Sequence, residues 1–354
     1  MSRRQIWVID DYRYRRLSRE SLVREYPLAA VLHTHSYHSE EDLAPLNDVM
    51  ALPVLRRFNG IFRRVFKTKA KEALDYSNLY YCPPISPREV YELELASARE
   101  LGFEEILMAV TDHDKIAGCL ELLDERPDLE PLTTVGEELS VPYEGDEFHL
   151  GVFGIRRDGA EQLHARLQEL AGRGALDDLF ELLDERGCLV VLNHPLYNMR
   201  RAGNHLILLR RLLGRYGWAI HALEFNGLRR PEENDAVVAL ARQFGKPVVG
   251  GGDRHSPIPS VVLAAAREAA TFDDYLEEVK RGGGVTVCKP DYFQPHAWKM
   301  FVRILFYVAA YRRITFYKDT PITSFALDDR IVPDYFAGVA GFLLKTLSAL
   351  RLVR

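Results

Sequence analysis

Ala30-Val31-Leu32-His33-Thr34-His35 is an apolar run that ends in two imidazoles one residue apart. A short apolar stretch of this kind reads as a buried β-strand. Side chains at i and i+2 of a strand share a face, so His33 and His35 would present two ring nitrogens in one direction, as a divalent transition metal needs. Taken alone, the pair fits a polar strand end equally well.

Five more stretches repeat the pattern. Val110-Thr111-Asp112-His113-Asp114 runs from apolar residues straight into acid and imidazole. Val135-Gly136-Glu137-Glu138-Leu139 carries two acids, one of which would face inward, and Glu147-Phe148-His149-Leu150 brings a histidine into another strand. Val190-Val191-Leu192-Asn193-His194-Pro195 places a histidine after three aliphatics and stops at proline, where a strand ends. Gly250-Gly251-Gly252-Asp253-Arg254-His255 repeats the i, i+2 spacing behind glycines that allow close backbone approach. One histidine at a strand end is usually a satisfied core residue, but six such places along the chain are better explained by one shared metal site.

Working outward, apolar runs at 30–33, 106–111, 133–139, 149–155, 189–193, 223–226 and 247–251 alternate with helix signals. Ser86-Pro87-Arg88-Glu89 is an N-cap followed by proline and an acid, and predicts a helix running to Gly102. Further helices are predicted over 177–186, 231–244 and 271–281, each closed by glycine. The alternation predicts a parallel α/β barrel or a doubly wound sheet. In a barrel the strand ends converge on one face, so ligands distant in sequence would meet there. Histidine and carboxylate without thiolate favour zinc, manganese or iron, and the number of ligands implies two or three ions.

Composition sets the frame. The chain has 354 residues, 47% hydrophobic and 27% charged, ordinary for a globular protein. A formal net charge of −5 gives no global basic field pointing to nucleic acid. Cys82, Cys119, Cys188 and Cys288 form no CxxC pair, which argues against a zinc ribbon or a disulfide framework and for a reducing compartment. The first residues, Met1-Ser2-Arg3-Arg4-Gln5-Ile6, lack a long apolar run, so no secretory signal is expected; the chain is expected to be cytoplasmic, with peripheral membrane association open.

Taken in order, His33-Thr34-His35, Thr111-Asp112-His113-Asp114, Gly136-Glu137-Glu138-Leu139-Ser140, His149, Asn193-His194-Pro195, Glu224-Phe225-Asn226-Gly227 and Gly252-Asp253-Arg254-His255 resemble the motifs of the PHP (polymerase and histidinol phosphatase) family. The resemblance covers about residues 30–290. It implies an α/β fold, a distorted seven-stranded (β/α)7 TIM-like barrel, over 1–290. To this the sequence adds a basic helical insertion over 42–85 and a C-terminal helical extension over 291–354. It also implies a trinuclear site that hydrolyses phosphate esters with a metal-activated hydroxide. The substrate would be a nucleotide, an oligonucleotide or a small phosphorylated metabolite.

Carried onto this chain, the resemblance gives His33, His35, Glu138 and Asp253 to one metal. Glu138 would bridge to a second, held by His149 and His194, and His113 and His255 would bind a third. Asp112 and Asn193 would orient imidazoles. Where the family continues to Ser-Asp-Gly, this chain has Ser39-Glu40-Glu41, so Glu40 or His38 is expected to complete the third site. Arg254 stands where a small residue is common. It is expected either to grip a phosphate bidentately or to pack on the rim.

The insertion, with Arg56, Arg57, Arg63, Arg64, Lys67, Lys69 and Lys71, reads either as a lid that attracts a phosphorylated substrate or as a solvated basic face. Residues 298–313 and 335–354 read as helices that pack on the barrel or a partner subunit, with an interfacial membrane helix as the alternative. Two other functions stay open: a non-catalytic metal-stabilised scaffold binding through insertion and tail, and a metal hydrolase of C–N bonds.

Overall fold

Each of the seven apolar runs forms a strand in the computed structural model, which describes residues 6–42, 79–83, 85–198, 200, 202–295 and 315–317. In chain order the strands are β1 (Ile6–Asp10), β2 (Arg13–Leu17), β3 (Leu28–Val31), β4 (Glu41–Asp42), β5 (Leu79–Tyr81), β6 (Ile106–Met108), β7 (Val135–Tyr143), β8 (Asp146–Ile155), β9 (Leu189–Leu192), β10 (Ala222–Asn226), β11 (Val248–Gly251), β12 (Val262–Ala266), β13 (Val285–Cys288) and β14 (Thr315–Tyr317). The helices are α1 (Arg19–Glu25), α2 (Pro87–Arg99), α3 (Ala117–Glu125), α4 (Ala160–Gly172), α5 (Leu176–Glu185), α6 (His205–Tyr216), α7 (Pro231–Phe244) and α8 (Phe272–Lys280).

The four predicted helices appear as α2, α5, α7 and α8, and their ends follow local chemistry. The Ser86 hydroxyl accepts from Glu89 N–H at 3.2 Å while the Glu89 carboxylate accepts from Ser86 N–H at 2.8 Å, a reciprocal cap at the start of α2. Gly245 closes α7 in the left-handed region at φ 64°. The faces these helices turn inward, such as Val237, Leu240 and Ala241 of α7, join one buried apolar cluster with the strand residues.

The chain divides into two units: Met1–His38 with Ile85–Gln294, and Ser39–Pro84 with Pro295–Arg354. Hydrogen bonding in the first unit makes two sheets, in the orders β2-β1-β13-β12-β3-β6 and β11-β10-β9-β8-β7. The expected continuous seven-stranded barrel is therefore not the observed ladder. Isolated parallel bridges, Met108–Thr133, His113–Glu138 and Thr34–Arg254, lie at the sheet margins. The ladder stops where the backbone turns to present side chains: Asp114, His194 and Asp253 have φ of 51°, 27° and 50°, which extended pairing does not accommodate.

Strand direction also departs from the parallel expectation. β3 with β6, β9 with β10 and β10 with β11 are parallel, but β8 runs antiparallel to both β7 and β9. The cause is the two-residue turn Glu144-Gly145, with φ of 49° and 89°, which closes a β7–β8 hairpin. Asp11-Tyr12, with φ of 46° and 58°, closes the β1–β2 hairpin in the same way.

His221, just ahead of β10, ties neighbouring strands: its Nδ1 accepts from Val190 N–H at 3.0 Å. Burial, then Lys280 and Lys246, lowers its pKa to about 4. The unfolded chain takes up this proton first, near pH 6.5, so the stability this histidine supports is complete above that value and is lost as pH falls towards about 4. Urea unfolding at pH 7 and pH 5 should therefore show a smaller acid loss in His221→Asn than in the wild-type protein. An equal loss would contradict this account.

In the second unit, β14, β5 and β4 form an antiparallel three-stranded sheet in that order. The basic stretch of the insertion and the two helices expected in the tail lie outside the described residues. Among the described residues no helix is long and apolar enough to cross a membrane.

Candidate metal centre

Glu138, on β7, is fully buried. Its Oε2 lies 2.9 Å from His33 Nε2, 3.4 Å from His35 Nε2 and 3.3 Å from His113 Nδ1. Its Oε1 lies 3.0 Å from His149 Nδ1 and 3.0 Å from His194 Nε2, and accepts a 3.0 Å hydrogen bond from Asn193 Nδ2. The one carboxylate on β7 thus faces five imidazoles drawn from β8 and from the segments that follow β3, β6 and β9. Burial alone pushes the Glu138 carboxyl up, but His33, His113 and His149 pull it well below its ordinary value.

Asp253, just past β11, forms a second focus. Its Oδ1 is 3.2 Å from His255 Nδ1, 3.8 Å from His33 Nε2 and 3.9 Å from His35 Nε2. Burial opposes its ionisation, and His33, His255, His194 and Arg229 overcome this to hold it below the usual carboxylate range. The His35 ring stacks on His255 with centroids 4.1 Å apart and on His113 at 4.8 Å.

Within the first unit, three triads bring ligand atoms within 4.8 Å of one another: His33, His35 and Asp253; His33, Glu138 and His194; His113, Glu138 and His149. The resemblance paired His149 with His194 through Glu138; the geometry also gathers His113 there. Donors of imidazole and carboxylate type at this spacing, with Glu138 and His33 each shared between triads, fit adjacent divalent cations. Supporting groups fit as well. Glu224 Oε1 sits 2.6 Å from His33 Nδ1, the nitrogen facing away from Glu138, as a carboxylate that orients a ligating imidazole would. Glu224 Oε2 accepts from His194 N–H at 2.7 Å, and Asn226 Nδ2 donates to both Glu224 and Asp253.

Close packing of glycine backbone makes this possible. A Cβ on Gly251 would lie 1.7 Å from Glu224 Oε1, and one on Gly252 would lie 2.0 Å from Ser260 Oγ. The triple glycine is therefore required by contact.

The remaining expected residues have other placements. Asp112 accepts from Ser36 N–H at 2.6 Å and from Ser36 Oγ at 2.8 Å, and so fixes the loop after His35. Asn193 orients the Glu138 carboxylate through its amide. Arg254 is 3% exposed. Its Nε donates to Thr34 Oγ1 at 3.1 Å and faces Glu94 at 3.2 Å, and Nη1 donates to Ser256 O at 2.6 Å. That guanidinium is spent on protein acceptors, which corrects the expectation that it grips a phosphate. His38 Nε2 meets Glu121 at 2.8 Å, and Glu40 lies exposed in the second unit.

The sequence reading missed Glu224 as the partner of His33, Glu147 beside His149, and the pair Arg229 and Tyr197. The Glu147 carboxyl is lowered to about 2 by His149 and Arg200 against the effect of burial. Arg229 follows the Glu224-Phe225-Asn226-Gly227 motif by two residues, a signal that was present but unread.

No family model matches the chain, and no curated protein matches it. Solved structures do. A protein from Bifidobacterium adolescentis named for a metal-dependent phosphoesterase is 16% identical, with 57% of this chain and 92% of that one covered at a TM-score of 0.37. An amidohydrolase from Chromobacterium violaceum, with bound sulfate and no metal, is 18% identical over 58% and 93% at 0.39. A two-domain protein from Bacteroides vulgatus containing a predicted PHP-like metal-dependent phosphoesterase is 12% identical over 73% and 64% at 0.40.

Proposed function

We propose that the chain is a metal-dependent hydrolase of phosphate esters, acting on a nucleotide or a small phosphorylated molecule. The observation that carries this reading is the single Glu138 carboxylate within 3.4 Å of five imidazoles. Divalent cations held by the three triads would supply Lewis acidity towards water and a phosphoryl oxygen. Glu224 and Asn193 fix the rotamers of His33 and Glu138, so the donors need little reorganisation. His113 and His255, at 18% and 13% side-chain exposure, are the more open imidazoles and mark the side from which substrate enters; His33 and His35 are closed off. The architecture belongs to the same proposal. Strands β3, β6, β7, β8, β9, β10 and β11 taken in order form an opened seven-stranded ring, and the isolated bridges at Met108–Thr133 and Thr34–Arg254 support its two joints.

The test is hydrolysis of a panel of nucleotide and sugar phosphates and of an aryl phosphodiester by protein supplemented with zinc or manganese. Turnover that a chelator abolishes and added metal restores is the expected outcome. Protein that carries metal and turns over no ester would overturn the reading in favour of a metal-stabilised scaffold.

A further inference from the structure

Arg229 is placed by two loops that also carry metal-site residues. Gly227 N–H donates to Gly251 O at 2.8 Å, and Arg229 N–H donates to Asn226 O at 3.2 Å, which ties the 227–230 turn to the end of β11 beside Asp253. A Cβ on Gly227 would lie 3.1 Å from Gly252 O, so that approach suits glycine. From the other loop, Tyr197 N–H donates to His194 O at 2.8 Å, and its ring stands at 90° to the His194 ring at 5.7 Å. The guanidinium carbon of Arg229 lies 3.6 Å from the centre of the Tyr197 ring, a stacked arrangement that fixes the plane of the fork.

The fork is held but not satisfied. Arg229 Nε is buried and has no hydrogen-bond partner among the described residues. Asp253 Oδ2 is 3.8 Å from Nη2, beyond hydrogen-bond range, and already accepts from Asn226. Glu233, which lines the same cleft, accepts from Arg230 N–H at 3.0 Å. A buried donor without an acceptor is destabilising, so a ligand that brings acceptor oxygens is favoured there. Arg229, Tyr197 and His194 line this cleft together.

We propose that Arg229 binds the non-bridging oxygens of a terminal phosphoryl group and makes the site selective for phosphate monoesters over diesters. This rests on the phosphoesterase reading above. A monoester is a dianion near neutral pH and a diester a monoanion, so the interaction of a fixed guanidinium with the former is about twice as large. A terminal phosphoryl group has three non-bridging oxygens and a diester two, so once oxygens face the cations the monoester keeps more acceptor capacity for a planar, two-pronged donor.

The experiment uses the metal-loaded full chain as wild type, Arg229→Gln and Arg229→Lys, with p-nitrophenyl phosphate and methyl p-nitrophenyl phosphate as substrates. Metal content and inorganic phosphate binding by calorimetry are measured alongside. Metal content is expected to stay at the wild-type level. Arg229→Gln should raise KM for the monoester and weaken phosphate binding by about tenfold or more, the scale of one charge-assisted hydrogen bond. It should change the diester by about threefold or less, about half the charge interaction on a logarithmic scale. Arg229→Lys, which keeps the charge but not the fork, should recover only part of the loss. Equal losses on both esters, or unchanged phosphate binding at full metal content, overturn the role of Arg229. Wild-type protein inert towards both esters sinks the phosphoesterase reading instead, and the phosphate titration then decides Arg229 by itself.

Discussion

Glu138→Gln leaves a folded protein that no longer holds its cations. The substitution keeps shape and removes one charge from the point where five imidazoles converge. Two of the three triads contain Glu138, so both lose their only carboxylate. Removing groups that merely orient ligands costs about 10–100-fold in metal affinity, and loss of a shared ligand should exceed about a hundredfold. Elemental analysis after dialysis reads this directly, and ester turnover should fall with it. Glu144→Gln, an exposed turn residue paired with Arg211, is the control and should keep both. Retention of metal and activity by Glu138→Gln would mean that the imidazole cluster is only a polar core.

The second large effect is on stability. A Cβ at Gly250 would lie 2.0 Å from Leu263 O and 2.5 Å from Leu263 C, both backbone atoms of β12. No rotamer relieves that collision, because the obstacle is main chain packed against main chain. Gly250→Ala must push β11 away from β12 and should cost upwards of about 3 kcal/mol, comparable to overpacking a core. In a chain of this size that lowers the melting temperature by roughly 4–6 °C. Gly172→Ala meets nothing within 4 Å at the end of α4 and should be neutral or slightly stabilising. Similar melting temperatures for the two variants would show that β11 and β12 separate at little cost.

What the sequence made legible follows from periodicity and position. The seven buried runs could be placed because each is short, largely apolar and carries or adjoins a ligand type, and α7 matched its predicted bounds because proline and glycine mark both ends. The direction of β8 could not be read from burial, since a strand covered on both faces is continuous in either orientation; Glu144-Gly145 was the available cue. β2 escaped because four of its five residues are exposed, so it has no buried run to detect. For Arg254 the sequence left gripping a phosphate and packing on the rim both open, for a longer-range reason. Its partner Glu94 lies on α2, distant in sequence, and Glu94 also receives Ser260 N–H and Oγ, at 2.9 and 2.8 Å. Nothing local distinguishes an arginine reaching outward from one locked beneath the surface.

The left-handed backbone at Asp114, His194 and Asp253 has a consequence for how such a chain would drift. Strain of about 1–3 kcal/mol at each position persists only while something rewards it. On the proposed function, were selection for hydrolysis relaxed, glycine at these positions would release that strain, and asparagine part of it. Decay would begin at the chemistry and leave the scaffold firmer, so lineages that have lost the reaction should keep the fold and show relaxed residues at these corners first.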